Sequence, residues 1–405
     1  MPEFNRRRFL IASAGVGAAG LLGGVAAVTL PDLLNEGRNR PLPTNSGILV
    51  IVTLYGGNDG LNTVIPYADN AYHDARPELA YKPEEVLRLD SAFGLNPALT
   101  GMSNLWHTNK LAIVRGVGYP KPDRSHFRSM DIWQTANPVD AVTSGWIGRW
   151  LDATGDDPIR AVNIGTVLPP LGVGEKHVAA SLSDFVPAIP PDIARTLAAL
   201  SADDPHDTKA MSQVCESYRS SHATNTRFAP VINGHLQAAG QADNQLASDL
   251  DLVAGCIRAG VPTQVYMTQL LGFDTHADER APQQALLKTL DDAVTPFFHK
   301  LQGTPYGHNV VVLMYSEFGR RVAANASQGT DHGTSGPVFI AGTPVKAGFY
   351  GDQPSLTDLT DGDLKTTVDF RDVYHELLAH TLGADPEPSV GPGRRDVGFL
   401  AGGGK

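Results

Sequence analysis

Six short apolar runs rich in β-branched residues recur along this chain, and they limit its fold more than any other feature. They are Gly47–Leu54, Leu111–Val114, Arg160–Ile164, Gln264–Leu271, Val310–Tyr315 and Val338–Ala341. A strand with one wet face alternates apolar and polar residues, whereas a continuous run such as Ile48-Leu49-Val50-Ile51-Val52 needs cover on both faces. Helical patterns lie between the runs. Phe370, Val373, Tyr374, Leu377 and Leu378 follow an i, i+3, i+4, i+7, i+8 spacing, with Asp369 as its cap and Gly383 beyond its end. A second helix is expected from about Pro282 to Leu301, kinked at Pro296. Strands alternating with helices predict an α/β fold, a mainly parallel sheet with helices on both faces. Ligands of such sheets bind beyond the carboxyl ends of the strands. The loops after the six runs are therefore where chemistry is expected.

The 405 residues allow one large α/β domain or two to three small ones, and 42% hydrophobic with 19% charged residues is too apolar for disorder. Forty-two glycines and 29 prolines point to many loops on a rigid scaffold. A net charge of −11 argues against nucleic acid as a partner, since that affinity comes mainly from basic charge. Cys215 and Cys256 form no metal motif; whether they pair stays open.

Residues Asn5-Arg6-Arg7-Arg8-Phe9-Leu10 precede a Gly/Ala-rich apolar stretch to Leu30, with small residues at Val25-Ala26-Ala27. This pattern reads as a twin-arginine signal peptide over residues 1–30. It makes the twin-arginine translocase a partner during export and the periplasm, cell envelope or medium the destination. The Gly and Ala content disfavours a permanent membrane anchor, so membrane contact is expected only through the signal segment. Residues 31–45 read as a linker, 46–385 as the α/β domain with a helical or loop insertion at about 166–244, and 386–405 as a C-terminal tail.

Polar residues concentrate in the expected loops. Asp59 follows the first run. In Lys121–Trp133, Asp123 is placed as an N-cap, with Ser125 and His126 in the first helical turn, where free N–H groups favour an anion. Asp274 and His276 follow the fourth run, Glu317, Arg320 and Arg321 follow the fifth, and Asp331 and His332 precede the sixth. Oxygen and imidazole donors of this kind suit zinc, manganese or calcium. Each residue also has a plainer use: Asp59 in a turn, Glu317 with Arg320 and Arg321 in a surface ion-pair cluster, Ser125 at a helix start. Co-location, not any single motif, carries the case.

Six blocks resemble a known bacterial family. Gly-Gly-Asn-Asp-Gly-Leu-Asn at 56–62, Arg-Ser-His-Phe at 124–127, Gly-Phe-Asp-Thr-His at 272–276, Ser-Glu-Phe-Gly-Arg at 316–320, Gly-Thr-Asp-His-Gly at 329–333 and Asp-Phe-Arg-Asp-Val-Tyr at 369–374 look like the twin-arginine-exported domain-of-unknown-function 1501 family. That family is similar to the alkaline phosphatase and sulfatase superfamily. The resemblance implies an alkaline-phosphatase-like α/β fold and one or two divalent metal ions. It implies Asp59, Asp274, His276, Glu317, Asp331 and His332 as metal ligands, and Ser125 as nucleophile. Phe318 stands where a histidine ligand is usual, Asp274 and His276 are closer in sequence than the usual pair, and no Cys/Ser-x-Pro-x-Arg segment surrounds Ser125.

The resemblance thus implies an exported, metal-dependent hydrolase of phosphate or sulfate esters, small or polysaccharide. Ser125 or hydroxide would attack, Arg124 and Arg320 would bind the ester's equatorial oxygens, and His126 would protonate the leaving group. The rival is a non-catalytic exported protein of the same fold that binds a polysaccharide or protein partner. Phe318 favours the rival.

Overall fold

The computed structural model describes residues 30–165, 167–182 and 244–400. The signal segment before residue 30, Cys215 and most of the expected insertion lie outside the described residues.

All six runs are strands of one nine-stranded sheet. In chain order its strands are β1 (Ile48–Tyr55), β2 (Leu111–Gly118), β3 (Ala161–Ile164), β4 (Ala180–Leu182), β5 (Val265–Leu271), β6 (Val310–Tyr315), β7 (Gly336–Gly342), β8 (Gly348–Tyr350) and β9 (Val368–Asp369). Their spatial order is β8-β2-β7-β6-β1-β5-β3-β4, with β9 also paired to β2. β1 lies at the centre, parallel to β5 and β6. Every pairing is parallel except those of β7, which runs against both β2 and β6. This reverses the expectation for the sixth run: the loop before β7, not the loop after it, lies at the carboxyl edge of the parallel strands.

The continuous apolar runs are explained by cover on both faces. Ile48, Val50 and Val52 of β1 enter one core with Met102 of α3 (Thr100–His107), Leu250 and Val253 of α6 (Gln245–Arg258) and Leu290 and Phe297 of α7 (Arg280–Leu301). Leu49 and Ile51 enter the opposite core with Trp133 of α4 (His126–Thr135), Trp146 and Trp150 of α5 (Trp146–Thr154) and Tyr374 of α8 (Phe370–Glu376). Leu49 is fully buried, so trimming it to Ala would cost roughly 2–5 kcal/mol. Helix α7 is continuous through Pro296. Asp369 caps α8 as expected by accepting the Arg371 N–H, and the helix continues as a π turn over Leu377–Thr381.

Residues on both sides of the expected domain limits are buried. The segment read as a linker begins with α1 (Leu30–Asn39), whose Leu33 is fully buried. In the segment read as a tail, Val390, Phe399 and Leu400 are buried. Residues 167–182, assigned to the insertion, add β4 to the sheet edge. Cys256 is buried on α6 with its thiol free. A small three-stranded sheet of Val64–Ile65, Leu87–Arg88 and Gly94–Leu95 follows the β1 loop, and between its first two strands lies α2 (Asn70–Ala75). Among the described residues no helix is long and apolar enough to cross a membrane.

Candidate metal centre

Three segments deliver side chains to one point at the carboxyl edge of the sheet, and the connection between β6 and β7 contributes from both of its ends. The loop after β5 brings Asp274 and His276, the loop after β6 brings Glu317, Phe318 and Arg320, and the loop before β7 brings His332. The start of α4 brings His126. There Ser125, not Asp123, is the N-cap residue; Asp123 instead accepts the Ser125 N–H through Oδ1 at 2.8 Å. The Ser125 hydroxyl makes no capping bond and is exposed.

Oδ1 of Asp274 is the focus. Around it stand Nη2 of Arg320 at 2.9 Å, Nε2 of His276 at 2.9 Å, Nε2 of His332 at 3.1 Å and Nε2 of His126 at 3.2 Å. His126, Asp274 and His332 form a group whose donor atoms all lie within 4.8 Å of one another. Nε2 of His276 is also 2.9 Å from Nε2 of His332.

The far sides of two of these rings decide what faces Asp274. Nδ1 of His126 lies 2.7 Å from Oε1 of Glu317, and Nδ1 of His332 lies 2.7 Å from the carbonyl oxygen of Arg124. A carbonyl or carboxylate oxygen only accepts, so the hydrogen in each contact belongs to Nδ1. A neutral ring held this way turns the Nε2 lone pair toward Asp274, an arrangement typical of metal-ligating histidine. Nε2 of His126 is buried and has no hydrogen-bond partner, although Asp274 is near. Two lone pairs and a carboxylate oxygen pointed at each other need a positive charge between them, a proton or an ion. Neighbouring donors on a tetrahedral ion stand about 3.3 Å apart when each is 2.0–2.1 Å from it, close to the 2.9–3.2 Å found here. Imidazoles with one carboxylate fit zinc, or manganese, better than calcium, which prefers oxygen alone.

With no ion bound, a proton on the imidazoles supplies that positive charge. Burial pushes the Asp274 carboxyl up, but hydrogen bonds from Arg320 and His332, with the charges of Arg320 and His126, hold it well below the usual carboxylate range. The hydrogen bond with Glu317 raises His126 above its ordinary value of 6.5 against the effect of burial, helped by the charges of Glu317 and Asp274.

Not every expected residue joins the cluster as expected. Glu317 is fully buried and orients His126 instead of facing the centre; its oxygens also accept from the Gly56 N–H at 2.9 Å and the Ser316 hydroxyl at 2.9 Å. His126, expected as a general acid, has its Nε2 3.2 Å from Oδ1 of Asp274. Arg320 is buried, and its Nε, Nη1 and Nη2 donate to the carbonyls of Gly57, Thr330, Gly56 and Phe273 and to Asp274. The Arg124 guanidinium is bound to Asp363, and its contribution to the centre is its carbonyl. Asp331 is exposed, 3.2 Å from Nδ2 of Asn325 and 3.8 Å from Nδ1 of His276, at the margin. Asp59 is 0% exposed and paired with Nη1 of Arg76 at 2.5 Å, while its Oδ1 accepts the Leu61 N–H at 3.3 Å. Burial, more than its turn, accounts for Asp59, and both oxygens are occupied away from the centre.

Phe318 lies between two imidazoles of the cluster. Its ring lies 4.8 Å from that of His126 and 4.9 Å from that of His332, wedged against both. Sequence reasoning passed over Arg76, Glu279 and Asp363. Arg76 answers Asp59, Glu279 accepts the Thr330 hydroxyl at 2.6 Å, and Asp363 answers Arg124. No local spacing signals these partners, which lie up to 239 positions away.

The family model for proteins of unknown function, DUF1501, matches residues 196–399. No curated protein matches the chain. Among solved structures the chain is similar to a protein in the alkaline phosphatase superfamily from Vibrio parahaemolyticus, at 11% identity and a TM-score of 0.43, covering 92% of this chain and 78% of that one. It is also similar to the phosphonate monoester hydrolase SpPMH from Silicibacter pomeroyi, at 10% identity and 0.37, covering 89% and 78%. The C-terminal periplasmic domain of EcEptC from Escherichia coli, in complex with Zn, gives 10% identity and 0.37, covering 74% and 77%. These likenesses assign no residue a role.

Proposed function

Because this chain belongs to the DUF1501 family of proteins of unknown function, membership brings no activity with it, and we propose from the site that it is an exported, metal-dependent hydrolase of phosphate or sulfate esters. The observation that carries this is the convergence of Nε2 of His126 and Nε2 of His332 on Oδ1 of Asp274, each ring held from behind by an acceptor. His126, Asp274 and His332, with His276 beside them, would hold one ion. Asp59 and Glu317 add no second ion, since their oxygens already accept from Arg76, Leu61, Gly56, Ser316 and His126.

A bound ion would supply Lewis-acid polarisation of the ester oxygen. The chain's own part begins at the start of α4. The Ser125 hydroxyl, exposed and not spent on capping, is the candidate nucleophile. The N–H groups of the first turn precede the first helical bond, from Ser129 N–H to Ser125 O, and are placed to hold an oxyanion. Export rests on Arg6-Arg7-Arg8-Phe9-Leu10. Lysine at positions 6 and 7 should retain the protein in the cytoplasm, and normal secretion would exclude that route.

One observation favours the non-catalytic reading, in which the protein binds a polysaccharide or protein partner: the guanidinium groups of Arg124 and Arg320 are committed to Asp363 and to main-chain carbonyls. Metal analysis of the purified protein together with aryl phosphate and aryl sulfate turnover separates the two. Hydrolysis predicts about one ion per chain, loss of ion and turnover together in Asp274→Asn, and loss of turnover alone in Ser125→Ala. A metal-loaded wild type inert toward phosphate monoesters, diesters and sulfate esters would establish the binder.

A further inference from the structure

We propose that Asp363 is a positioning residue for the metal centre, acting through Arg124 to set the tautomer and direction of His332. The inference rests on the cluster being a metal site and concerns a residue outside it.

Asp363 sits in a tight antiparallel turn with Thr360 and is 1% exposed. Its Oδ2 accepts from Nε of Arg124 at 2.9 Å and from Nη2 of the same guanidinium, while its Oδ1 lies 3.6 Å from Nε of Arg321. These two arginines belong to the two segments that enclose His332. The Arg124 carbonyl takes the Nδ1 hydrogen of His332 at 2.7 Å. Arg321 donates its N–H to the Asp331 carbonyl at 3.0 Å, and Arg320 next to it forms an antiparallel bridge with His332. The Thr334 hydroxyl, bonded to the Leu364 carbonyl at 2.6 Å, anchors the same strand to the turn that carries Asp363.

One buried carboxylate therefore ties together both walls around a ligand. Two donors on one oxygen fix the Arg124 guanidinium. A long side chain anchored at its tip fixes its own backbone, and here that backbone carbonyl decides which His332 nitrogen carries the hydrogen. Without the anchor, His332 could turn or take the other tautomer, and its Nε2 lone pair would no longer be held on Asp274.

The test is zinc affinity of the full chain, stripped by chelator and titrated in competition with a chromophoric chelator, with the visible absorption of the cobalt-loaded protein as a report of ligand geometry. Asp363→Asn and Arg124→Lys should each weaken zinc binding by about 10–100-fold and alter the cobalt spectrum. Asp358→Asn, an exposed partner of Lys365 nearby, should change neither. Wild-type affinity in Asp363→Asn, or a lowered melting temperature of the ion-free protein with affinity unchanged, overturns the proposal. If Asp363→Asn does not fold, Arg124→Lys decides, since it keeps the carbonyl and a positive charge while losing the fork. A wild type that binds neither zinc nor cobalt overturns the metal reading itself, an outcome distinct from equal affinities in wild type and variants.

Discussion

Oε1 of Glu317 lies 2.7 Å from Nδ1 of His126, which joins a fully buried carboxylate to an imidazole that reaches the surface. The contact turns an inward-facing charge into a directional restraint on a ligand. Glu317→Gln keeps the shape and removes the charge, and its amide can donate as well as accept. Zinc affinity should fall by about 10–100-fold, measured by competition titration, with the fold retained by circular dichroism. Unchanged affinity would reduce Glu317 to a support for the Gly56 turn.

Asp59 should answer to stability instead of ion content. Asp59→Asn leaves Arg76, itself 0% exposed, without its counter-charge. Breaking a buried pair costs about 3–5 kcal/mol, which urea unfolding would register. The ion content of the folded fraction should match wild type. Loss of the ion at unchanged stability would return Asp59 to the ligand set.

Glu279 gives the molecule a pH dependence. Burial, then the neighbouring Asp59 charge, pushes its carboxyl up to about 8. Its folded value is thus above the ordinary value of 4.5, so between those two pH values the folded state holds a proton that the unfolded state has released. This contribution is fully present below the lower value and is lost as pH rises through the upper one. Unfolding free energies between pH 5 and 9 should decline in wild type. In Glu279→Gln, which carries no titratable group, the decline should be shallower; an identical slope in both would assign the titration elsewhere.

The β1 loop should be sensitive to one methyl group. Gly57 has φ +72°, and a Cβ there would lie 2.4 Å from Cε2 of Phe318. Phe318 has little room to retreat, since both imidazoles lie against it. Gly57→Ala should displace the ring into His126 and His332 and weaken cobalt binding, seen as a changed visible spectrum, whereas Gly255→Ala, with open space around its Cβ, should leave it unchanged.

The two levels of structure were legible to different degrees. Runs such as Ile48–Leu54 announce themselves because two covered faces demand uninterrupted apolar residues, and the loops that follow them inherit their location. Asp274 and His276 lie in such a loop, and His332 lies just before the last run. The reversal of β7 has no signature in Val338–Ala341, since an apolar run reads the same in either direction. The partners of charged residues were also hidden. That Asp59 meets Arg76, Glu317 meets His126 and Arg124 meets Asp363 depends on which loops touch, and composition looks alike whether a carboxylate meets an ion or a guanidinium. Phe318 read as a missing ligand because sequence shows the absent imidazole but not the two rings that flank the phenyl group.

The reversal of β7 also governs how the chain tolerates changes of length. His332 sits on the returning arm of a β-hairpin, bridged to Arg320 on the outgoing arm, so its side chain is aimed by ladder register. A shift of one residue turns every side chain to the opposite face. It would present Asp331 or Gly333 where His332 stands. A single deletion between Gly333 and Ser335 could therefore abolish the centre while leaving each ligand residue in the gene, a lesion that a survey of point substitutions would never reveal.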